Sequence, residues 1–145
     1  MRQIIFRGKR LDNGEWVYGL PYKAKYGCIS SIVNDDEERF LIFPKTVGQY
    51  TGLTDRNGKK IFEGDICRVV YLDRRCNSNG KHYEVENVMI EEVVVEKGTF
   101  CFKTTIEDIT FYRPTGFDIY EKQKIKYFED IGNVHDNPEL LEVEE

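Results

Sequence analysis

Turn signals carrying glycine recur along this chain and constrain its fold more than any other feature. Asp12-Asn13-Gly14 separates residues 3–9 from 15–20, and Asp55-Arg56-Asn57-Gly58 separates residues 51–54 from 60–62. The flanking runs are short and rich in β-branched and aromatic residues. Asn-Gly adopts positive φ at little steric cost, so such pairs between strand-like runs predict β-hairpins. A further hairpin is predicted where residues 28–33 and 39–43 flank the acidic tip Asn34-Asp35-Asp36-Glu37-Glu38. Nine Tyr, nine Phe and one Trp supply enough large apolar surface for a core, which excludes a disordered chain. No apolar run approaches the roughly 18 residues of a membrane-spanning helix.

The remainder continues the pattern. Pro44 lacks an amide donor, so residues 44–50 read as a connection. Glu63-Gly64-Asp65 turns into a strand at 66–72. Residues 73–81, with Arg74, Arg75, Asn77, Ser78, Asn79 and Gly80, read as an exposed loop. Residues 83–96 read as one long bent strand or two, and Lys97-Gly98 turns the chain into 99–105, where Phe100 and Phe102 share a face. Arg113-Pro114-Thr115-Gly116 breaks it again. Residues 119–128 fit a strand better than a helix, with Lys122, Lys124 and Lys126 on one face and Ile125 and Tyr127 on the other. A last strand follows at 128–133. Asn137-Pro138-Glu139-Leu140-Leu141 predicts one short helix, with Asn as N-cap and Pro at the first position. The expectation is a mainly β chain with a minor α part, one unit over 1–145. A subdivision at Phe43-Pro44 would separate an N-terminal hairpin subdomain, 1–43, from a barrel-like portion, 44–145.

Charge narrows the chemistry. With 21 basic and 26 acidic residues the net charge is −5, against the basic excess usual for proteins that neutralise phosphates. The Lys122, Lys124, Lys126 row with Arg74 and Arg75 is the candidate basic groove, and Tyr71, Tyr112 or Tyr120 could stack bases beside it. The competing reading is that these lysines guard an edge strand. Residues 1–10 carry Arg2, Arg7, Lys9 and Arg10 without an acid, and residues 129–145 carry acids without Lys or Arg. Opposite charge at the two ends can guide self-association.

Catalytic patterns find little support. Glu63 and Asp65 could form an acid–base pair or metal clasp, but Glu63-Gly64-Asp65 fits a tight turn. Asp55-Arg56-Asn57-Gly58 lacks calcium-loop spacing, since Gly comes fourth and Ile66 stands where the bidentate Glu belongs. His135-Asp136 fits a capping turn better than a base with its orienting acid. Ser30, Ser31 and Ser78 lack a nucleophile elbow. Cys28, Cys67, Cys76 and Cys101 show no C-x-x-C spacing, which speaks against zinc. With no export signal they are expected to be free thiols and small core residues in a reducing cytoplasm. Trp16, with Tyr18 beside it, reads as a core anchor rather than a binding platform.

Three segments together resemble the YopX-like family of phage and prophage proteins. They are Phe6-Arg7-Gly8-Lys9 through Asp12-Asn13-Gly14-Glu15-Trp16-Val17-Tyr18-Gly19, then Thr46-Val47-Gly48-Gln49-Tyr50-Thr51-Gly52-Leu53-Thr54-Asp55 through Asn57-Gly58-Lys59-Lys60-Ile61-Phe62-Glu63-Gly64-Asp65-Ile66, and Ile131-Gly132-Asn133-Val134-His135-Asp136-Asn137-Pro138-Glu139-Leu140-Leu141. The resemblance spans essentially the whole chain. It implies a mostly β fold with an SH3-like barrel and an accessory N-terminal portion, and a gene carried by a bacteriophage or prophage. It implies no activity and no site residues. Residues 72–118 lack a family motif. The resulting expectation is a non-enzymatic, cytoplasmic protein-interaction module of the bacterial host cell, without cofactor or metal and away from membranes. The alternative is a nucleic-acid-binding accessory protein of phage replication or regulation, and a homo-oligomer is compatible with either.

Overall fold

The computed structural model describes residues 3–23, 29–114, 118–119 and 123–142. The strands are β1 Phe6–Lys9, β2 Trp16–Lys23, β3 Ile29–Val33, β4 Arg39–Leu41, β5 Gly48–Thr54, β6 Lys60–Phe62, β7 Asp65–Cys76, β8 His82–Glu96, β9 Thr99–Ile106, β10 Ile109–Pro114, β11 Asp118–Ile119 and β12 Gln123–Asn133. Among the described residues, helical structure is confined to the 3-10 turns Pro44–Thr46 and Pro138–Leu141. The mainly β expectation holds. The C-terminal helix is a single 3-10 turn: Pro138 opens it as expected, but the Asn137 side chain makes no capping bond. Instead the Asn137 Oδ1 accepts the Asn133 N–H at 3.3 Å. Among the described residues no helix is long and apolar enough to cross a membrane.

The chain divides into two compact units, Met1–Leu53 with Lys60–Gly64, and Thr54–Lys59 with Asp65–Glu145. Phe43-Pro44 lies inside the first unit. There the Thr46 hydroxyl accepts the Lys9 N–H at 2.8 Å and donates to the Phe43 carbonyl at 2.6 Å, stitching the proline turn to β1.

The first unit is an antiparallel sheet of order β4-β3-β2-β1-β5-β6. Its core holds Ile32, Ile42, Tyr50, Ile61 and Phe62. Arg7 is buried with them, its guanidinium 4.5 Å from the Trp16 ring and 5.1 Å from that of Phe62. Trp16 is half-buried and serves as this stacking wall, in line with an anchor.

The second unit is a sheet of order β10-β9-β8-β7-β12-β11. Alternate residues of β7, Cys67, Val69 and Tyr71, bury against Val93 of β8 and Phe102 of β9. The Phe102 and Phe128 rings lie 5.5 Å apart although β9 and β12 are three strands from each other. A flat sheet would separate them by about 14 Å, so this sheet curls strongly. Irregularities in β12 between Ile125 and Tyr127 and between Asp130 and Gly132 provide the bend. Among the described residues each sheet has two end strands, so the ladders form open sheets where an SH3-like barrel was expected.

Two local expectations need correction. Residues 73–81 are not a loop: β7 runs on to Cys76 and turns only at Asn77–Gly80, where the Gly80 N–H returns to the Asn77 carbonyl at 3.0 Å. Of the two readings of residues 83–96, one long strand is the one that forms, within β8. At the expected Asn-Gly turns, only the glycine takes positive φ. At the β5–β6 turn the Asp55 carboxylate accepts the Asn57 and Lys59 N–H groups, each at 2.9 Å, which completes a type I turn ending in left-handed Gly58.

Candidate interaction site at the fork of β8 and β9

β8 pairs with β7 from His82 to Glu92, but with β9 only from Glu92 to Glu96. Beyond Glu92↔Lys103 the two strands part, and β9 continues with β10 alone. Among the described residues, the main chain of β8 over 82–91 therefore has a ladder partner on one side only.

A buried polar cluster occupies the inner face of this fork. Glu91 is fully buried; the Tyr71 hydroxyl donates to its Oε1, and Arg113 Nη1 donates to its Oε2 at 3.1 Å. Arg113 reaches there from β10, across β9, with its guanidinium 5.0 Å from the Tyr71 ring. Burial pushes the Glu91 carboxyl up, opposed by the Tyr71 bond and the Arg113 charge. Burial, then the Glu91 charge, also push the Tyr71 hydroxyl up. A buried ion pair contributes little net stability, and this one lies next to the point where β8 and β9 part. None of these groups was singled out from sequence. The available signal was Glu91 standing in register with Met89 and Val93 on the inward side of a Val-rich strand.

On the outer face a groove of about 360 Å³ is lined by Ile90, Glu92, Lys103, Thr105, Leu140 and Leu141. Gly132 lets the C-terminal turn approach: a Cβ there would lie 2.6 Å from the Asn137 Oδ1 and 3.0 Å from Leu140 Cδ1. Val88 and Ile90 stand on this face with 50% and 36% of their surface exposed. The groove thus offers apolar walls, two acids (Glu92 and Glu142), one base and, among the described residues, a strand edge without a ladder partner.

The acids weighed from sequence are arranged differently. Glu63 belongs to the first unit, and Asp65 instead faces Asp130 of β12 in the second. Asp55 Oδ2 accepts the Asp130 N–H at 2.9 Å, and the Arg56 N–H donates to the Phe128 carbonyl at 3.1 Å, tying the β5–β6 turn to β12. Asp130 Oδ1 accepts the Gly132 N–H at 3.0 Å; Oδ2 lies 3.6 Å from Lys59 Nζ and is buried without a hydrogen-bond donor. A proton taken up by Asp130 would be shared with the neighbouring Asp65. Burial, reinforced by the Asp65 carboxylate, lifts the Asp130 carboxyl to about 7. Burial and the nearby carboxylates of Asp130, Asp65 and Asp55 push the Cys67 thiol up as well, so it is an unreactive core residue. Cys101 is buried too, whereas Cys76 is exposed, and all three are free; Cys28 lies outside the described residues. Asp65 and Asp130 are closed to solvent, so this cluster tethers the turn rather than meeting a substrate. No group of described His, Cys, Asp and Glu residues is arranged to hold a metal ion.

The basic row is interleaved with acids. Lys124 and Arg74 share the face of Leu72, and there Arg74 stands opposite Glu84 while Lys126 bonds Glu86. Arg75 lies on the other face, opposite Tyr83. Lys122 and Tyr120 are outside the described residues. Tyr71 is buried in the fork and cannot stack a base; Tyr112 is exposed on β10. Of the N-terminal bases, Arg7 is buried and Arg10 pairs with Asp12 at 2.6 Å. His135 and Asp136 form the predicted turn, their N–H groups donating to Asn133 Oδ1 at 3.0 and 2.9 Å.

None of the curated proteins matches the chain. Among solved structures, the crystal structure of protein EF1440 from Enterococcus faecalis is similar over 98% of this chain and 100% of that one. The sequences are 23% identical and the TM-score is 0.55, a likeness of fold. The family model described as YopX protein matches residues 5–142. The chain therefore belongs to the YopX protein family.

Proposed function

We propose that this chain is a non-enzymatic protein-interaction module, an accessory protein of a phage or prophage in the cytoplasm of its bacterial host. It receives an extended segment of a protein partner at the β8–β9 fork. The carrying observation is the unpaired edge of β8 running beside an apolar groove. An added strand would satisfy the free N–H and C=O groups of β8, and its alternate side chains would reach Ile90, Leu140 and Leu141. Exposed Val88 and Ile90 favour an apolar segment. The basic row supports the nucleic-acid reading less well, since Glu84 and Glu86 stand among its cations.

The test is capture from host lysate on immobilised protein, with and without nuclease, using the native chain and the variants Val88→Asp and Ile90→Asp. The reading expects a partner that survives nuclease and is lost with both variants while circular dichroism is unchanged. Capture abolished by nuclease and by reversing Lys124 and Lys126 would replace it with nucleic-acid binding.

A further inference from the structure

The β5–β6 turn does more than close its hairpin: within the second unit it lies along β12 as a neighbouring strand would. Phe128 and Asp130, two residues apart, present main-chain groups on one edge of β12. The Phe128 carbonyl accepts the Arg56 N–H at 3.1 Å, and the Asp130 N–H donates to Asp55 Oδ2 at 2.9 Å. The turn thus supplies the donor and the acceptor that a paired strand would supply at this spacing. Side chains extend the grip on both faces of β12. Arg56 lies 3.9 Å from the Tyr127 ring and 3.4 Å from Glu129 Oε1, while Lys59 Nζ lies 3.6 Å from Asp130 Oδ2.

The charges beneath this cap are unbalanced. The groups facing Asp130 are Asp65 and Cys67 from β7 and Asp55 and Lys59 from the turn. Glu91 of β8 lies in register beyond Cys67 and is answered by Arg113. Asp55 spends its carboxylate on the N–H groups of Asp130, Asn57 and Lys59, which keep it ionised. Asp65 and the Asp130 side chain are closed to solvent, and the one cation facing them, Lys59, is 62% exposed. Two buried carboxylates that face each other are stable together when one of them carries a proton.

We propose that the β5–β6 turn is a pH-operated cap on the β12 edge, held closed when Asp130 carries a proton and loosened when Asp130 ionises beside Asp65 and Asp55. Burial, reinforced by Asp65, sets that ionisation at about 7 in the capped state. The carboxyl is raised from 3.8, so the capped state is favoured at low pH and opening increases as pH rises from about 4 to about 7. Opening uncovers the Phe128 carbonyl and the Asp130 N–H, an edge able to pair with another strand. The device lies apart from the β8–β9 fork and does not rest on the partner reading.

The test is amide exchange of the full chain by nuclear magnetic resonance at pH 5 and 7.5, corrected for intrinsic rates, at rising urea below the unfolding transition. From pH 5 to 7.5 the Arg56 and Asp130 amides should lose about tenfold or more of their protection. They should do so through an opening that urea does not promote, whereas the β7–β8 amides should exchange through urea-dependent unfolding. Asp130→Asn should keep the Arg56 amide equally protected at the two pH values. If that variant misfolds, Asp65→Asn removes the neighbouring charge and should shrink the pH dependence. Equal protection of both amides at pH 5 and 7.5 in the native chain overturns the proposal. So does a loss that persists undiminished in the folded variant, or exchange of these amides that follows urea as the β7–β8 amides do.

Discussion

Asp130→Asn should stabilise the second unit at pH 8 and leave it nearly unchanged at pH 4. In the native chain, burial and Asp65 raise the Asp130 carboxyl from 3.8 to about 7. The folded state therefore holds a proton that the unfolded chain releases near pH 4, so native stability falls as pH rises from about 4 to 7. About 3 pH units at about 1.4 kcal/mol each give an upper figure of about 4 kcal/mol. Asparagine reproduces the protonated acid: its oxygen accepts the Gly132 N–H and its amide donates toward Asp65. Burial also raises Glu63 and Glu91, adding to the native slope with the same sign, so the difference between variant and native chain isolates Asp130. Burial pushes Asp55 up, but the N–H groups of Asp130, Lys59 and Asn57 outweigh it and hold the carboxyl below its ordinary 3.8; its loss of stability on acidification falls below this window. The assay is urea unfolding followed by far-ultraviolet circular dichroism, because Trp16 sits in the first unit and its fluorescence would report that unit. At a slope of about 2 kcal/mol per molar urea, the full effect moves the pH 8 midpoint up by about 2 M. A pH 8 midpoint that stays put or falls, with native stability flat from pH 4 to 8, would refute the shared proton.

Three further outcomes follow from the geometry. Arg113→Met leaves the Glu91 carboxylate buried without its cation and should cost about 3 kcal/mol at pH 7. The cost should shrink on acidification because the raised Glu91 carboxyl takes up a proton, which urea midpoints at pH 5 and 7 would show. Replacing Glu107-Asp108 by Asn-Gly suits the two left-handed positions and should stabilise by about 1 kcal/mol, read as a melting temperature about 2 to 4 °C higher. Gly132→Ala forces a Cβ onto Asn137 and Leu140, and should increase amide exchange in the Pro138–Leu141 turn by tenfold or more while the β7–β8 amides keep their protection.

Local chemistry explains what was legible in the sequence. The Asp12-Asn13-Gly14 and Asp55-Arg56-Asn57-Gly58 turns form where their residues require, because turn preference acts over four or five residues and needs no distant partner. Asn77–Gly80 was missed as a turn because polar residues extending β7 look like a loop until β8 pairs with them. The three family segments placed the whole chain in its family, yet carried no activity.

The candidate site lay beyond such local rules. Glu91 reads as one acid among several in a β8 that could face either way, and Arg113 lies 22 residues on. Only strand register brings Arg113 across β9 to Glu91, and only the parting of β8 and β9 opens an edge and a groove. Asp65 likewise stood paired with Glu63 in the sequence, whereas the fold sets it against Asp130 in a buried place where a proton is retained. By itself the sequence determined the hairpins, the mainly β class and the family, because these depend on short-range backbone preference and segment order. Tertiary structure decided which strands stay unpaired and which charges meet out of water, because those depend on pairing and burial between residues far apart in the chain.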